Sequence, residues 1–563
     1  MGNDRLLRFL RVALIFLSVP LRSFYAQTAP GTYLIEFTDK NGTPYSLNQP
    51  EAYLSPRALD RRARQSIAVD PTDLPVDPAY VSALLAAGNI QLVGTSRWQN
   101  SATIRTTDTL ALDTLAQLPF VQNLRCLHDG TVRPGRVRSK WPEELRNSVD
   151  APYEQHYGRG FRQLSMINGH LLHEAGARGE GILLGILDSG FDNADILPAF
   201  APLRARNGIV LTADLVTGDG NVYQDHWHGR SVLSIIVAQL PGELVGAAPN
   251  VNVALVRTED AATEYIVEED NWVRGAEILD SLGCDVLNTS LGYTQFDDST
   301  QDHSATDLDG LTTRISIASG MAAKKGMIVV NSAGNSGQSD WYRISAPADA
   351  LGILAVGAVG SLRESAPFSG HGPSADGRVK PDVCAMGWGT TGLDIDGIHI
   401  AAINGTSFSA PLVAGGVACL WQLHPDRSAA DVMAAVRGSA SHHAHPDVDF
   451  GYGIPDLWRA HLLLDGDDRT DLTEVEFYNV MPVPFADHFE VELFTGAEDL
   501  LQVDLFDMLG RPVWAIQEHL DNRTYQRIWI ADARLANLAA GPYVLRLRMG
   551  DRTQQRHVLK SLR

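Results

Sequence analysis

Ser407 is the residue of this sequence whose surroundings most readily suggest chemistry. It follows Gly405, which permits a tight turn, and it precedes an apolar run typical of a helix, 412–423. A helix N-terminus presents free N–H groups and a partial positive charge, so a serine there could attack a carbonyl and help to hold the resulting oxyanion. Taken alone, Ser407 is explained better as a helix cap.

A serine nucleophile needs a base, and His228 is the candidate that its context favours. Imidazole titrates near neutral pH, so it can take the serine proton and return it to a leaving amine. The following run, 229–237, is too apolar for an exposed helix, which places His228 at the start of a buried helix facing a cleft. His226 in the same loop is the alternative, but Gly229 and the buried helix favour His228.

Two further side chains could complete this chemistry. Asp188 ends an apolar run typical of a buried strand, and the carboxyl end of a parallel strand is where α/β folds place their sites. It could hold the histidine tautomer and stabilise the imidazolium, or it could only cap a turn. Asn335 lies in a Gly-rich turn after another buried run. Its amide could donate to an oxyanion, or the residue could simply tolerate a positive φ.

Each residue has an ordinary structural explanation, but together the four supply the parts of one reaction. We therefore predict acyl transfer, with Ser407 as nucleophile, His228 as base, Asp188 as the group that orients the histidine and Asn335 as oxyanion donor. This chemistry requires no metal and no organic cofactor.

Elements that could position these residues alternate between about 170 and 462. Continuous Val, Ile and Leu runs are what a parallel sheet covered on both faces requires. We therefore predict a three-layer α/β domain over 170–462 with a mainly parallel sheet. The predicted strands are 182–187, 251–256, 286–288, 327–331 and 353–359.

The segments on either side of this domain have other patterns. Residues 31–130 follow the order β-α-α-β-β-α-β, which predicts a small α+β unit. Residues 131–169 are rich in charge, Pro and Gly, which indicates a linker and processing region. After a polar linker, the short alternating segments of 470–563 predict a small antiparallel β-sandwich.

The N-terminus has the pattern of a secretory signal peptide. Basic residues precede an apolar stretch, 12–21, which is shorter than the roughly 20 residues that a membrane span needs. We predict that 1–26 is a signal peptide cleaved after Ala26, rather than a buried helix or a membrane anchor. The mature protein is then expected to be secreted or attached to the cell surface, without a transmembrane helix.

Charge and cysteine content exclude some other functions. The 563 residues carry a formal net charge of −21, and a polyanion repels phosphate backbones, so we expect no nucleic-acid binding. The cysteines show neither C-x-x-C spacing nor a zinc-ligand pattern. Cys284, Cys384 and Cys419 lie in apolar runs and are interpreted as buried thiols.

Residues 170–460 resemble the subtilase family of subtilisin-like serine proteases. Asp188, His228 and Ser407 follow the chain order of that family's triad. Arg230 and Phe408 stand where threonine and methionine are usual. The segments similar to the family's motifs are 186–190 (ILDSG), 228–229 (HG), 333–335 (AGN) and 405–411 (GTSFSAP).

The resemblance also implies where substrate binds. Segment 288–292 (NTSLG) is similar to the strand that pairs with the substrate backbone in this family. It implies that a protein or peptide substrate is bound by β-augmentation. The residues expected to bind it are Ser290, Leu291, Gly292, Ala333 and Gly334.

The flanking segments resemble known modules as well. Residues 31–130 are similar to a subtilase propeptide, which implies an inhibitor and folding template of this same chain. Residues 470–563 resemble the C-terminal sorting domain of the type IX secretion system of Bacteroidota, which implies that this machinery is a partner. The similar features are 481–485 (MPVPF), 505–510 (LFDMLG), 538–543 (LAAGPY) and 558–560 (VLK), although Met481 and Val483 depart from the usual Tyr-Pro-Asn-Pro start.

Two alternative functions and a structural calcium ion are also compatible with parts of the sequence. The first rival is a catalytically inactive cell-surface protein that binds peptide on a subtilase-like scaffold. The second is a metal-dependent hydrolase using His442, His443 and His445, but this cluster lacks the H-E-x-x-H pattern and is interpreted as a solvated loop. Subtilases often bind calcium for stability, and the acid-rich segment 297–302 could hold it or be solvated surface.

Overall fold

The computed structural model describes residues 31–131, 156–466, 476–481, 483–495, 499–520 and 524–561. The predicted signal peptide, 1–26, and most of the predicted processing region lie outside the described residues. The described part contains an N-terminal α+β unit, a large α/β domain and a C-terminal pair of sheets. Within it, no helix is both long and apolar enough to cross a bilayer.

The N-terminal unit has the element order predicted from its sequence. Its antiparallel sheet has the strand order β2-β3-β1-β4. Helices α1 and α2 both start with proline behind a capping Ser or Asp side chain, a pattern that fixes the first helical turn. The elements are β1 (Gly31–Phe37), α1 (Pro56–Arg64), α2 (Pro78–Ala86), β2 (Ile90–Ser96), β3 (Ser101–Thr106), α3 (Thr109–Leu115) and β4 (Val121–His128).

The large domain is built on a parallel sheet of seven strands. The strand order is β13-β12-β11-β10-β5-β9-β6, and every adjacent pair runs parallel. The central strands are buried on both faces, as their continuous Val, Ile and Leu runs predict. The sheet strands are β5 (Leu183–Asp188), β6 (Ile209–Asp214), β9 (Asn252–Arg257), β10 (Val286–Thr289), β11 (Ile328–Ser332), β12 (Leu354–Val359) and β13 (Val383–Met386). Two further pairs of short strands form separate sheets, β7 (Gln239–Leu240) with β8 (Leu244–Val245) and β14 (Thr390–Leu393) with β15 (Ile400–Ile403).

Helices cover this sheet and complete the predicted three layers. Separate apolar clusters lie on its two faces, one with α10 and α7 and the other with α8 and α9. The helices are α4 (Phe161–Met166), α5 (Gly169–Glu174), α6 (Ala201–Ala205), α7 (His228–Val237), α8 (Val267–Leu282), α9 (Arg314–Lys324), α10 (Thr406–Leu423), α11 (Ala429–Gly438) and α12 (Leu457–Leu464).

The N-terminal unit packs against α8 through a buried cluster of charges. Asp280 forms ion pairs with Arg61 at 2.5 Å, with Arg62 at 2.7 Å and with Arg97 at 2.7 Å. Its side chain is fully buried. Glu277, one turn earlier on α8, accepts hydrogen bonds from the backbone N–H groups of Arg97 and Trp98.

The C-terminal segment forms two small antiparallel sheets, with strand orders β16-β17-β20 and β19-β18-β21-β22. Apolar side chains from both sheets share one core, which confirms the predicted sandwich. The elements are β16 (Glu476–Met481), β17 (His488–Thr495), β18 (Asp499–Phe506), β19 (Pro512–Leu520), β20 (Thr524–Ala531), α13 (Ala533–Ala536), β21 (Gly541–Met549) and β22 (Arg552–Lys560).

Candidate active site

Asp188 and His228 form a buried hydrogen-bonded pair. Asp188 is the last residue of β5, and His228 is the first residue of α7. Nδ1 of His228 lies 2.8 Å from Oδ1 of Asp188, and both side chains are fully buried. A carboxylate can only accept, so Nδ1 carries the proton and Nε2 is the basic nitrogen of the ring.

Gly229 lets α7 approach the end of β5 closely enough for this bond. A Cβ atom at Gly229 would lie 2.3 Å from the carbonyl oxygen of Gly190 and 2.9 Å from Cβ of Asp188. The sequence favoured His228 over His226 partly because of this glycine. In the structure, His226 instead contacts the hydroxyl of Ser189 at 2.9 Å.

Ser407 is the second residue of α10 and is 5% exposed. Its hydroxyl donates to the carbonyl of Ser290 at 3.3 Å. The ring centroid of Phe408 lies 5.6 Å from that of His228. The histidine therefore lies against the residue that follows Ser407.

Pro411 changes how the start of α10 is held. It is the sixth residue of the helix. Proline has no N–H, so it cannot bond to the carbonyl four residues earlier, which is that of Ser407. The hydroxyl of Ser290 donates to this carbonyl at 2.8 Å instead and ties Ser407 to the end of β10.

Asn335 is attached to the same helix start by its carbonyl oxygen. Oδ1 accepts from the backbone N–H of Thr406 at 2.9 Å and from the Thr406 hydroxyl at 3.0 Å. The Thr406 hydroxyl also accepts from the N–H of Gly334 at 3.2 Å. With Oδ1 fixed at the helix, the amide nitrogen is the end of Asn335 that remains to donate to a substrate oxygen.

The two residues that depart from the subtilase motifs have clear surroundings. Phe408 packs beside the histidine ring, as described above. Arg230 is buried on α7, where its guanidinium lies 3.1 Å from Oδ2 of Asp192 and donates to the carbonyl of Asp394 at 2.7 Å. It therefore anchors α7 to neighbouring loops.

The residues expected to bind substrate lie at the carboxyl ends of two adjacent strands. Ser290, Leu291 and Gly292 follow β10, and Ala333 and Gly334 follow β11. Because β10 and β11 are parallel neighbours, both segments lie at the same edge of the sheet as the end of β5. The structure thus brings these five residues to the edge that also carries Asp188.

An acidic cluster lies beside this edge. Glu259, Glu264 and Glu268 are buried, and one carboxylate oxygen of each lies within 4.8 Å of the others. Tyr293, which follows Gly292, donates its hydroxyl to Glu259. Burial and these three carboxylates raise the pKa of Tyr293 well above its usual value.

The histidine loop of the second rival has a different environment. His442 lies 3.4 Å from Asp447, while His443 and His445 are exposed. Among the described residues, the groups with metal-ligand geometry do not include these three histidines.

Comparison with known proteins identifies two of these units. Residues 179–454 match the subtilase family, and residues 32–141 match the peptidase S8 propeptide domain of Bacteroidota. The large domain is thus a subtilase domain, preceded by a propeptide domain of the same peptidase family. The chain is a serine-type endopeptidase.

The chain is also similar to individual proteins. Subtilisin E of Bacillus subtilis (strain 168) is 28% identical over 311 residues, which cover 53% of this chain and 73% of the relative. Subtilisin of Bacillus pumilus is 29% identical over 283 residues, which cover 50% of this chain and 90% of the relative. The crystal structure of MycP1 from the ESX-1 type VII secretion system aligns with a TM-score of 0.44 at 22% identity, covering 59% of this chain and 94% of that chain.

Proposed function

We propose that this chain is a secreted serine endopeptidase that cleaves peptide bonds through an acyl-enzyme intermediate. The observation that carries the proposal is the buried 2.8 Å bond between Asp188 and His228, beside the helix that presents Ser407. Asp188, His228 and Ser407 form the proposed triad, and Asn335 is the proposed oxyanion donor.

The reaction would proceed by general base catalysis. Oγ of Ser407 attacks the peptide carbonyl while Nε2 of His228 takes its proton. Asp188 stabilises the imidazolium, and the amide of Asn335 donates to the oxyanion. When the tetrahedral intermediate collapses, His228 gives its proton to the leaving amine. Water then releases the acid by the same steps in the second half of the reaction.

Substrate binding is proposed to use the edge formed by the ends of β10 and β11. An extended peptide would add as a strand beside Ser290, Leu291 and Gly292, which follow β10. Ala333 and Gly334, which follow β11, would also contact this peptide. Main-chain hydrogen bonds hold the backbone in this mode, so it suits protein or peptide substrates of varied sequence.

The propeptide is proposed to inhibit the enzyme until it is removed. Its contacts with α8 include the buried arginine cluster around Asp280, which supports tight association before processing. The signal-like N-terminus supports an extracellular or surface location. The motifs of 470–563 support type IX secretion machinery as the exporting partner.

Calcium is proposed as a structural ion, and no catalytic step depends on it. In the predicted acid-rich loop, Asp297 accepts from the N–H of Glu264 at 3.1 Å. This contact joins the loop to the acidic cluster of Glu259, Glu264 and Glu268. Clustered carboxylate oxygens are the ligands that Ca²⁺ prefers, so these residues fit the ion.

The decisive test of the proposal is Ser407→Ala. We expect it to abolish both labelling by a fluorophosphonate probe and casein hydrolysis, because only Ser407 would form the covalent bond. The matched control is Ser409→Ala, since the Ser409 hydroxyl donates to the Thr406 carbonyl within the same helix. Full labelling and hydrolysis by Ser407→Ala would contradict the assignment, whereas an unlabelled, inactive parent would favour the peptide-binding rival.

A further inference from the structure

A cluster of metal-ligand side chains lies at the end of α10 remote from Ser407. His424 directly follows α10, His461 lies on α12, and Asp465 directly follows α12. Helix α10 has 18 residues, so about 27 Å of helix separates its two ends. The cluster is therefore separate from the proposed triad.

One ring nitrogen of each histidine and one oxygen of Asp465 lie within 4.8 Å of one another. Nε2 of His424 lies 2.8 Å from Nδ1 of His461. Oxygens of Asp465 lie 3.7 Å from Nδ1 of His424 and 3.6 Å from Nε2 of His461. Two ligands of a tetrahedral zinc ion, each about 2.0–2.1 Å from the metal, stand about 3.3 Å apart. To bind one ion, the bond between the two rings would open, and one nitrogen of each ring would turn towards the ion together with an Asp465 oxygen.

The chemistry of the donors selects a class of metal. Imidazole nitrogens with a carboxylate suit zinc and its first-row neighbours, whereas calcium and magnesium prefer oxygen ligands alone. The contact between the two rings needs at least one of them to be neutral, because two imidazolium rings would present N–H groups to each other. A neutral imidazole is the form that binds metal.

The positions of the ligands are restricted by the fold. His461 and Asp465 are four residues apart at the end of α12, so they lie on the same helix face. The centroid of the His461 ring lies 4.9 Å from that of Trp458, and His424 is buried. Arg427, which follows His424 by three residues, donates to the carbonyl of Leu464 at 2.5 Å.

The cluster of His424, His461 and Asp465 is also accessible from solvent on one side. The Asp465 side chain is 57% exposed, against 6% for His424 and 19% for His461. Such a gradient gives an ion an entry path and leaves room for a water molecule as the fourth ligand.

We propose that His424, His461 and Asp465 bind one divalent transition-metal ion of the zinc class. The ion would join the C-terminal end of the helix that carries Ser407 to α12. The sequence did not suggest this site, because 37 residues separate its two histidines and their spacing matches no zinc motif.

The test uses the full chain with Ser407→Ala, which prevents self-digestion, after treatment with EDTA and dialysis. Equilibrium dialysis against Zn²⁺, followed by metal analysis, measures the zinc bound per chain. Asp465→Asn and His461→Gln are each expected to weaken the binding of one zinc ion by at least about tenfold. His399→Gln is the matched control, since His399 forms an exposed pair with Asp396, and this variant should bind zinc like the parent.

Thermal unfolding with and without Zn²⁺ supplies a second readout. Zinc should raise the midpoint of the parent and of His399→Gln, but not that of Asp465→Asn. Asp465 is largely exposed, so its variant should fold even if His461→Gln does not. The proposal is overturned if Asp465→Asn binds zinc and is stabilised by it as the parent is, or if the parent binds no more zinc than this variant.

Discussion

The two polar atoms of the Asn335 side chain have different partners. Its carbonyl oxygen caps the start of α10 through Thr406, whereas its amide nitrogen is the proposed oxyanion donor. Replacement by alanine would remove both functions together. Replacement by aspartate keeps an oxygen for Thr406 and removes only the donor.

We therefore predict that Asn335→Asp lowers kcat by at least about 10²–10³-fold, the range for loss of one oxyanion donor in subtilisin. The added negative charge next to the developing oxyanion would increase the loss. The thermal midpoint should stay near that of the parent, while Asn335→Ala should lower both kcat and the midpoint. Steady-state kinetics on a peptide substrate with parallel calorimetry checks this, and a near-normal kcat for Asn335→Asp would exclude the donor role.

The sequence was sufficient to name these side chains but not to define their surroundings. Asp188 was predictable because it ends a buried strand, and Ser407 because a glycine-led turn precedes its helix. Gly229 and the buried helix favoured His228 over His226, and the structure places His228 in contact with the carboxylate of Asp188. No local pattern could show that Asn335 bonds to Thr406, 71 positions later.

At the scale of elements, the start of α10 depends on a hydrogen bond from a side chain that replaces a missing helical hydrogen bond. Pro411 removes the helical N–H that would satisfy the Ser407 carbonyl, and Ser290 supplies the replacement from β10. Ser290→Ala should leave this buried carbonyl without its donor. We expect it to lower the free energy of unfolding by about 1–3 kcal/mol and to reduce kcat more than it changes KM.

Pro411→Ala provides the control, because it restores an N–H four residues after Ser407. In the double variant, this N–H can satisfy the Ser407 carbonyl, so the loss of the Ser290 hydroxyl should matter less. A double-mutant cycle in unfolding free energy and kcat measures the coupling. Strict additivity of the two changes would show that Ser290 does not act through this carbonyl.

The close contact between α7 and the end of β5 allows a second prediction at the scale of elements. In Gly229→Ala, the new methyl would overlap the carbonyl of Gly190 and must push α7 away from Asp188. We predict a loss of kcat of about 10²-fold, the order expected for a 1 Å misplacement, and a destabilisation of about 1–3 kcal/mol. Gly438→Ala on α11 is the control, because a Cβ there would meet only Leu463 at 3.7 Å. Equal activity of both variants would contradict this account.

The order of the elements was largely predictable, because their patterns are local. Continuous apolar runs identified the central strands to within about a residue or two at their ends, for example 353–359 against Leu354–Val359. Pairing between units was not predictable. Arg61 and Asp280 lie 219 positions apart, and only the folded chain shows that the arginine-rich α1 faces α8.

At the scale of the whole molecule, this charge cluster joins the propeptide domain to the peptidase domain. Burial raises the pKa of Asp280, but Arg61, Arg62 and Arg97 together outweigh this effect and hold the pKa below its usual value. Asp280→Asn would leave the buried Arg61 and Arg97 without this counter-charge, whereas Arg62 keeps Asp73 at 2.8 Å. Loss of one partner of a buried ion pair costs about 3–5 kcal/mol.

We predict that this variant, in the Ser407→Ala chain, accelerates amide hydrogen exchange in β3 of the propeptide by about 10²–10³-fold. Exchange in the C-terminal sandwich should not change. Asp60→Asn is the control, because Asp60 is 70% exposed and pairs with Arg64 at 3.3 Å on the same helix. Unchanged exchange in β3 would mean that the arginine cluster does not hold the propeptide domain in place.

Stability of the peptidase domain in acid depends on a buried histidine outside the site. Nε2–H of His173 donates to the carbonyl of Ala247 at 3.0 Å, and Nδ1 accepts from the Tyr157 hydroxyl at 3.1 Å. Burial lowers the pKa of His173 to about 4, below the value of about 6.5 expected in the unfolded chain. Between these two values the unfolded chain binds the proton and the folded one does not. The free energy of unfolding must therefore fall as the pH falls from about 6.5 to about 4.

His173→Gln removes this titration and keeps an N–H donor for Ala247. We predict a lower stability than the parent at pH 7, but a loss between pH 7 and pH 4.5 that is smaller by about 2–3 kcal/mol. Urea unfolding followed by tryptophan fluorescence, in the Ser407→Ala chain at both pH values, measures the difference. An equal loss in parent and variant would show that His173 remains neutral in the unfolded chain or charged in the folded one. A charged His173 in the folded chain would contradict its hydrogen bonds with Tyr157 and Ala247.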